Sequence, residues 1–191
     1  MAVDDETWKP LSEHAFQIHV GLMRAHSRGR VALRDDNPSS APSILVNYLS
    51  DPRDRDLLRK GIRLVREITD QSAFKHLCGA EIYPGISVKS DQALDYCLAE
   101  KLTTQWHLSG TARMGSKDDP GAVVDPQGRV HGLNKLRVVD ASVMPFATNG
   151  NTNSPTIMIA EKISDSILDR LPLPRIEVPV WQNKDYESCQ R

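Results

Sequence analysis

Two stretches of this 191-residue chain carry side chains that could do chemistry. Trp106–Met114 (WHLSGTARM) places His107 in a turn of small residues, and Val138–Glu161 runs from an apolar segment through an Asn/Gly/Thr loop into a helical pattern. An imidazole can accept a proton from an alcohol, or stabilise an alkoxide, near neutral pH. We therefore expect the two stretches to form one ligand site.

The polar loop Asn149–Asn153 supplies amide donors and acceptors just before the last predicted helix. Asn153 is a natural N-cap, and Pro155 fits the first helical turn. A helix N-terminus offers N–H groups and partial positive charge, so it can hold an anion or a polarised carbonyl. The same pattern also fits an asparagine that only caps the helix and has no functional role.

Each of the other candidate residues also has a structural alternative. Asp140 follows a short apolar segment and could bond a ribose or ribityl hydroxyl, or only form a turn. Trp106, beside His107, could be part of a ligand site or belong to the core. His107 by itself could be a packed imidazole bonded to a carbonyl. The five remaining histidines are scattered and are interpreted as structural: His14, His19, His26, His76 and His131.

The elements that must position these residues predict an α+β fold. Alternating apolar residues predict a half-buried strand at His14–Met23 that pairs with a second strand at Val31–Leu33. Ile44–Tyr48 is a third extended segment, and Leu136–Val139 is a short strand of the kind buried in a sheet. We expect a mainly antiparallel sheet backed by helices.

Helical periodicity occurs at three places. Asp51 as N-cap and Pro52 at the first position begin a helix that we expect to end near Gln71. A second amphipathic helix is predicted over 90–102, capped by Ser90 or Asp91, with Leu94, Cys97 and Leu98 facing inward. A third is predicted over 156–171. The polar tail from 175 is expected to lie on the surface or to be disordered.

Composition excludes several classes of protein. A net charge of −1, from 24 basic and 25 acidic residues, gives no electrostatic footprint for nucleic acid. No apolar run approaches the ~20 residues that span a bilayer, and the acidic N-terminus has no secretory-signal layout. Three cysteines without metal-ligand spacing (Cys78, Cys97 and Cys189) indicate reduced thiols and no metal site. We expect a cytoplasmic protein, with peripheral inner-membrane association and the mitochondrial matrix as alternatives.

Several motifs, in this order, resemble one family. His107–Gly115 (HLSGTARMG), Val123–Pro145 and Gly150–Lys162 resemble the C-terminal part of the glucose–methanol–choline (GMC) flavin oxidoreductases. Ser27–Val31 and Pro42–Leu49 resemble the substrate-domain strands that precede it. The similarity is greatest to the choline-oxidising members, and it covers most of the chain.

The resemblance implies oxidation of a primary alcohol on FAD, with choline to betaine aldehyde as the favoured pair. His107 would be the general base or alkoxide stabiliser, and Asn153 would hold the substrate oxygen while hydride moves to the flavin. The implied FAD contacts are Asp140, Ala141, Asn153, Pro155 and Thr156. The chain would divide into a ragged end (1–11), a substrate-binding part (12–104), a part contributing to the FAD-binding domain (105–171) and a polar tail (172–191).

One departure from the family pattern is decisive for the expected activity. The family binds FAD mainly through a G-x-G-x-x-G fingerprint, which this sequence does not contain. We expect either a fragment of a longer protein or one half of a split enzyme that pairs with a separate FAD-binding chain. In both cases the chain alone would neither bind FAD tightly nor turn over.

Two further alternatives stay open at this point. The chain could serve a GMC oxidoreductase for another aliphatic, aromatic or furan alcohol. It could also be a non-catalytic interaction module in which His107 and Asn153 are relics. The sequence does not fix the oligomeric state or the electron acceptor.

Overall fold

The computed structural model describes residues 14–171, 173–179 and 181. Its strands, β1 (Arg30–Ala32) and β2 (Ser43–Leu45), pair antiparallel with Val31 opposite Ile44. Within the described residues the helices are α1 (Pro52–Thr69), α2 (Asp91–Lys101) and α3 (Asn153–Ile167), with a 3₁₀ turn at Ala141–Val143. The predicted α+β class with a small antiparallel sheet is therefore confirmed.

The first two helices begin where their capping residues predict. The Asp51 carboxylate accepts the N–H of Arg53 at 2.9 Å, and Pro52 is the first residue of α1. The Ser90 hydroxyl accepts the N–H of Ala93 at 3.2 Å and caps α2. Both starts are confirmed, because each cap satisfies a donor that the helix itself leaves unbonded.

A buried cluster joins these two helices. Leu58 of α1 and Leu94 of α2 are almost completely buried, and Leu98 is buried beside them in α2. Cys97 is half-buried and is a free thiol, as is Cys78. Cys189 lies outside the described residues. The prediction that the 94, 97 and 98 positions of α2 face inward is thus confirmed.

The strand predicted over His14–Met23 is wrong. The described residues of this segment form no strand, and Phe16 and Ile18 are about half exposed. Alternation gives a segment one apolar face, but a strand also needs a neighbouring backbone, and β1 pairs with β2 instead. The segment packs on α1 through Val20, which lies directly against the space beside Gly61.

The strand predicted over Leu136–Val139 is also wrong as a regular element. Its pairing is limited to an isolated antiparallel bridge between Arg129 and Arg137. The Val138 N–H donates to the carbonyl of Gly128 at 2.9 Å, and the Val130 N–H donates to that of Leu136 at 3.1 Å. The segment is therefore an extended arm that pairs with a local turn rather than a strand inside a sheet.

The last helix begins earlier and ends earlier than predicted. Its N-cap is Thr152, so Asn153 is the first helical residue and not the cap. The helix ends at Ile167, four residues before the predicted Leu171, and Asp169 adopts a left-handed conformation with φ 50°. Of the predicted surface tail, the described residues 173–179 and 181 are exposed, and the remainder lies outside the described part.

The described part of the chain contains neither a membrane-spanning helix nor a group of metal ligands. None of its helices combines the length and apolarity needed to cross a membrane. Across residues 14–171, 173–179 and 181, no group of three or more His, Cys, Asp or Glu side chains is placed to hold a metal ion.

Candidate active site

The Trp106–Met114 stretch is anchored along the 3₁₀ turn. Three backbone N–H groups donate to that turn: Gly110 to Ala141, Ala112 to Ser142 and Met114 to Val143, at 3.4, 3.0 and 2.8 Å. Gly110 has φ +85°, and a Cβ there would lie 3.3 Å from the carbonyl oxygen of Met144. A glycine is needed here because other residues strain at this φ and the backbones approach closely.

A second layer of contacts fixes the far end of the same stretch. The Arg113 guanidinium donates to Asp119 at 2.8 Å, and the Val123 N–H donates to the Arg113 carbonyl at 2.9 Å. The hydrogen bond from Arg113, together with one from the Gly121 N–H, lowers the pKa of Asp119. Val124 behind this layer is fully buried.

The extended arm before Asp140 is joined to α3 through one tight turn. Gly128 is buried with φ +72°, and its carbonyl accepts the N–H of Val138 at 2.9 Å. A Cβ at Gly128 would lie 2.7 Å from the Val138 carbonyl oxygen and 3.1 Å from Cδ1 of Ile163. Ile163 is a buried residue of α3, so the glycine sets how closely this turn packs on the helix.

His107 is tied directly to the start of α3. Its Nδ1 lies 3.1 Å from Oγ1 of Thr152, across 45 positions of sequence. Thr152 is only 7% exposed, and as the N-cap of α3 it makes no side-chain capping bond. His107 therefore contacts the residue directly before Asn153, which is the first residue of α3.

Thr152 contacts His107 but is not among the site residues predicted from the sequence. No local pattern links it to a histidine 45 residues away. Threonine is itself a capping residue, but it ranks below asparagine, so local propensity alone favours Asn153 over Thr152 as the cap.

The other predicted residues at the start of α3 lie in its first turn. Asn153 is exposed, whereas Pro155 and Thr156 are half-buried. The Thr156 hydroxyl and N–H donate to the Thr152 carbonyl at 2.6 and 2.9 Å, which keeps this turn tightly wound. The turn presents its N-terminal end without a side-chain cap.

Asp140 and Ala141 lie at the start of the 3₁₀ turn, where the Ala141 carbonyl meets Gly110. The Asp140 carboxylate accepts the Ser142 N–H at 2.7 Å and caps the 3₁₀ turn, while the residue itself is exposed. The Ala141 carbonyl accepts N–H groups from Gly110 and Met144. Asp140 thus performs the turn-forming role that the sequence left open.

Trp106 is outside the core of this chain. Its side chain is 76% exposed, its φ is +63°, and its N–H donates to the Thr104 hydroxyl at 3.0 Å. It borders a cleft of about 290 Å³ whose other lining residues are Val46, Tyr48, Leu102, Thr103, Thr104 and Leu108. A second cleft of about 390 Å³ shares Tyr48 and Leu102 and continues toward Arg55 and Asp95.

Comparison with known proteins gives a consistent result. A model of the GMC oxidoreductase family matches residues 25–160. An oxygen-dependent choline dehydrogenase from Pseudomonas savastanoi pv. phaseolicola is 54% identical over 175 residues, which are 92% of this chain and 30% of that protein. The chain thus spans about a third or less of the length of the curated relatives it matches.

Two solved structures are similar in fold. Pyridoxine 4-oxidase from Mesorbium loti has a TM-score of 0.72 and 31% identity, over 78% of this chain and 29% of that one. An FAD-dependent oxidoreductase from Chaetomium thermophilum has a TM-score of 0.72 and 30% identity, over 77% of this chain and 25% of that one.

Proposed function

This chain belongs to the GMC oxidoreductase family, and we propose that it supplies the C-terminal catalytic part of an FAD-dependent enzyme that oxidises a primary alcohol to an aldehyde. One observation carries the proposal: His107 lies in a backbone-anchored turn and contacts the residue that starts the helix of Asn153. The proposal assigns a proton acceptor and an amide able to orient an oxygen to this end of α3.

Each of these side chains has one proposed task. His107 accepts the hydroxyl proton of the alcohol at a ring nitrogen, which converts the alcohol to an alkoxide. Asn153 donates from its side-chain amide to the same oxygen and fixes its orientation. FAD, when bound, supplies the acceptor for the hydride that leaves the alcohol carbon.

The start of α3 fits a flavin ring. The helix has no side-chain cap and its first residue is exposed, so N–H groups and the positive end of the helix dipole are available for negative charge. We propose that Asn153, Pro155 and Thr156 face the ring, and that Asp140 and Ala141 face the ribityl–pyrophosphate portion. The exposure of Asp140 is compatible with such a contact.

The chain needs a partner to complete this site. Large apolar side chains that are more than half exposed lie in, or between, the two stretches that carry the proposed site: Trp106, Leu108, Leu133, Phe146, Ile157 and Met158. Exposed apolar patches of this kind mark interfaces. We propose that the N-terminal, FAD-binding two-thirds of the family's length covers them, either in the same polypeptide or as a separate chain, with residues 12–104 and 105–171 serving the substrate and FAD domains.

Choline is the proposed substrate. The relative with 54% identity is an oxygen-dependent choline dehydrogenase, and the exposed indole of Trp106 beside His107 offers a ring face to a quaternary ammonium. The similarity to pyridoxine 4-oxidase favours a second candidate, an aromatic primary alcohol. The two candidates differ in whether a cation is required.

The test is complementation. The full chain is assayed alone and mixed with an N-terminal half from a choline-dehydrogenase-like relative, and bound FAD and betaine aldehyde are measured. We expect FAD retention and activity only in the mixture, with choline preferred over pyridoxine. His107→Ala should lower the rate by ~10²–10⁴-fold, which is the usual contribution of a positioned general base.

The matched control is His76→Ala, because His76 is an exposed histidine outside the site. It should leave activity unchanged. A mixture that neither retains FAD nor turns over would contradict the proposed function, and turnover by the chain alone would contradict the need for a partner. Activity that survives His107→Ala would instead favour a non-catalytic interaction module.

A further inference from the structure

We propose that Thr152 is a positioning residue that holds His107 in the tautomer carrying its proton on Nδ1, which leaves Nε2 as the proton acceptor. The inference rests on the proposed function, because that function gives Nε2 its role as proton acceptor. The tautomer itself can be measured in this chain alone. Its basis is the 3.1 Å contact between the Thr152 hydroxyl oxygen and Nδ1 of His107.

The first supporting observation is what the Thr152 hydroxyl does not do. Threonine at a helix N-cap normally accepts an N–H from the first turn. Thr152 is the N-cap of α3 but makes no such bond. Its hydroxyl is instead engaged with a side chain 45 residues away, so the helix forgoes a stabilising bond in favour of a contact with His107.

The second observation is burial. Thr152 is 7% exposed, so water does not readily replace its hydroxyl as the partner of the imidazole. A neutral imidazole has one donor and one acceptor nitrogen, and the hydrogen bond made by one nitrogen decides the role of the other. The 3.1 Å contact fits donation in either direction. Donation from Nδ1–H to Oγ1 of Thr152 is the direction that leaves Nε2 as the proton acceptor, which the proposed role of His107 requires.

The third observation is that both ends of this contact are held by backbone structure. The stretch that carries His107 is bonded to the 3₁₀ turn, and the Thr152 carbonyl receives two bonds from Thr156. Backbone bonds therefore hold the chain from Gly110 onward on one side of the contact and the first turn of α3 on the other. The contact is therefore suited to orient the ring as well as to choose its tautomer.

The direct test is NMR of the ¹⁵N-labelled full chain at pH about 8.5, above the titration of an ordinary imidazole. Long-range ¹H–¹⁵N correlations identify which ring nitrogen of His107 is protonated, and comparison with His107→Ala assigns its signals. We expect Nδ1–H in the wild type and in Thr152→Ser, and a shift toward Nε2–H in Thr152→Val.

Thr148→Val is the matched control, since the Thr148 hydroxyl lies in the same loop but donates to the Gly150 carbonyl. It should leave the His107 tautomer unchanged. Nε2–H in the wild type would overturn the proposal, because the hydroxyl would then be donating to Nδ1. An unchanged tautomer in Thr152→Val would overturn it as well.

Kinetics of the complemented mixture give a second, independent measurement. Thr152→Val should lower kcat by ~10-fold or more with little change in KM, whereas Thr152→Ser should retain most of the rate. Equal rates in the wild type and Thr152→Val would overturn the proposal. A mixture without alcohol oxidation but with the expected tautomer pattern would reject the proposed function and leave the Thr152 assignment standing.

Discussion

Gly128 and Gly132 form a matched pair for testing how closely the turn before Asp140 must pack on α3. Both have left-handed backbones, with φ +72° and +78°. A Cβ at Gly132 meets nothing within 4 Å, whereas one at Gly128 would lie 2.7 Å from a backbone oxygen of Val138. The two substitutions to alanine therefore share the backbone strain and differ in the clash.

The magnitudes separate the two variants. An alanine forced into the left-handed region costs ~1–2 kcal/mol, which both variants incur. Overpacking against a fixed neighbour adds ~1–3 kcal/mol, which only Gly128→Ala incurs. With a urea m-value of about 2 kcal/mol/M, the unfolding midpoint of Gly128→Ala should lie ~0.5–1.5 M below that of Gly132→Ala.

The assay is equilibrium urea unfolding of the full chain, followed by far-UV circular dichroism. A third variant, Ile163→Val in the Gly128→Ala background, removes the Cδ1 atom that a Cβ would meet at 3.1 Å. It should recover only part of the difference, because the Val138 carbonyl remains. Equal midpoints for the two alanine variants would refute the argument that close packing fixes this turn.

Two further predictions concern buried charge. Burial raises the pKa of Asp54, but hydrogen bonds from the His26 N–H (2.8 Å) and from Ser27 (2.7 Å from its N–H) outweigh it and leave the pKa below its ordinary value. Asp54→Asn should therefore cost ~2–4 kcal/mol at pH 7 against less than ~0.5 for the exposed Asp56→Asn. The stabilisation by the Asp54 carboxylate is fully present above the unfolded-state pKa of about 3.9, and it is lost as the pH falls through the lowered folded-state pKa. A destabilisation by Asp54→Asn that stayed constant below pH about 4 would therefore contradict the prediction. Arg66 donates to Glu81 with two nitrogens and to the Val88 and Gly85 carbonyls, all while mostly buried. Arg66→Lys cannot reproduce this fork and should lower the free energy of unfolding by ~2 kcal/mol, whereas Arg129→Lys, at an exposed pair, should change it by less than ~0.5 kcal/mol.

Local signals in the sequence were sufficient for elements whose stability is local. The starts of α1 and α2 were correct because Asp51 and Ser90 bond to N–H groups two or three residues away. The buried face of α2 is predictable because Leu94 and Leu98 lie four positions apart, which places them on the same side of a helix. Such features depend on contacts within one or two turns.

Features that depend on distant backbone could not be predicted in the same way. The alternation in His14–Met23 and the apolar run at Leu136–Val139 each satisfy the side-chain pattern of a strand. A strand forms only when a second backbone lies alongside, and the sequence pattern of one segment carries no information about its neighbour. In this chain β1 pairs with β2. The segment Leu136–Val139 forms backbone hydrogen bonds with Gly128 and Val130 of the preceding turn.

The start of α3 shows how a site can override a local rule. Asn153 has the better capping side chain, yet Thr152 is the N-cap and its hydroxyl contacts His107 instead of the helix. A cap left without its bond costs ~1 kcal/mol of helix stability. Such a loss is expected where a side chain serves the site instead, and the same choice leaves Asn153 exposed at the first turn. The engagement of the Thr152 hydroxyl by His107 therefore explains why Thr152 caps α3 without the side-chain bond that a residue in this position normally makes.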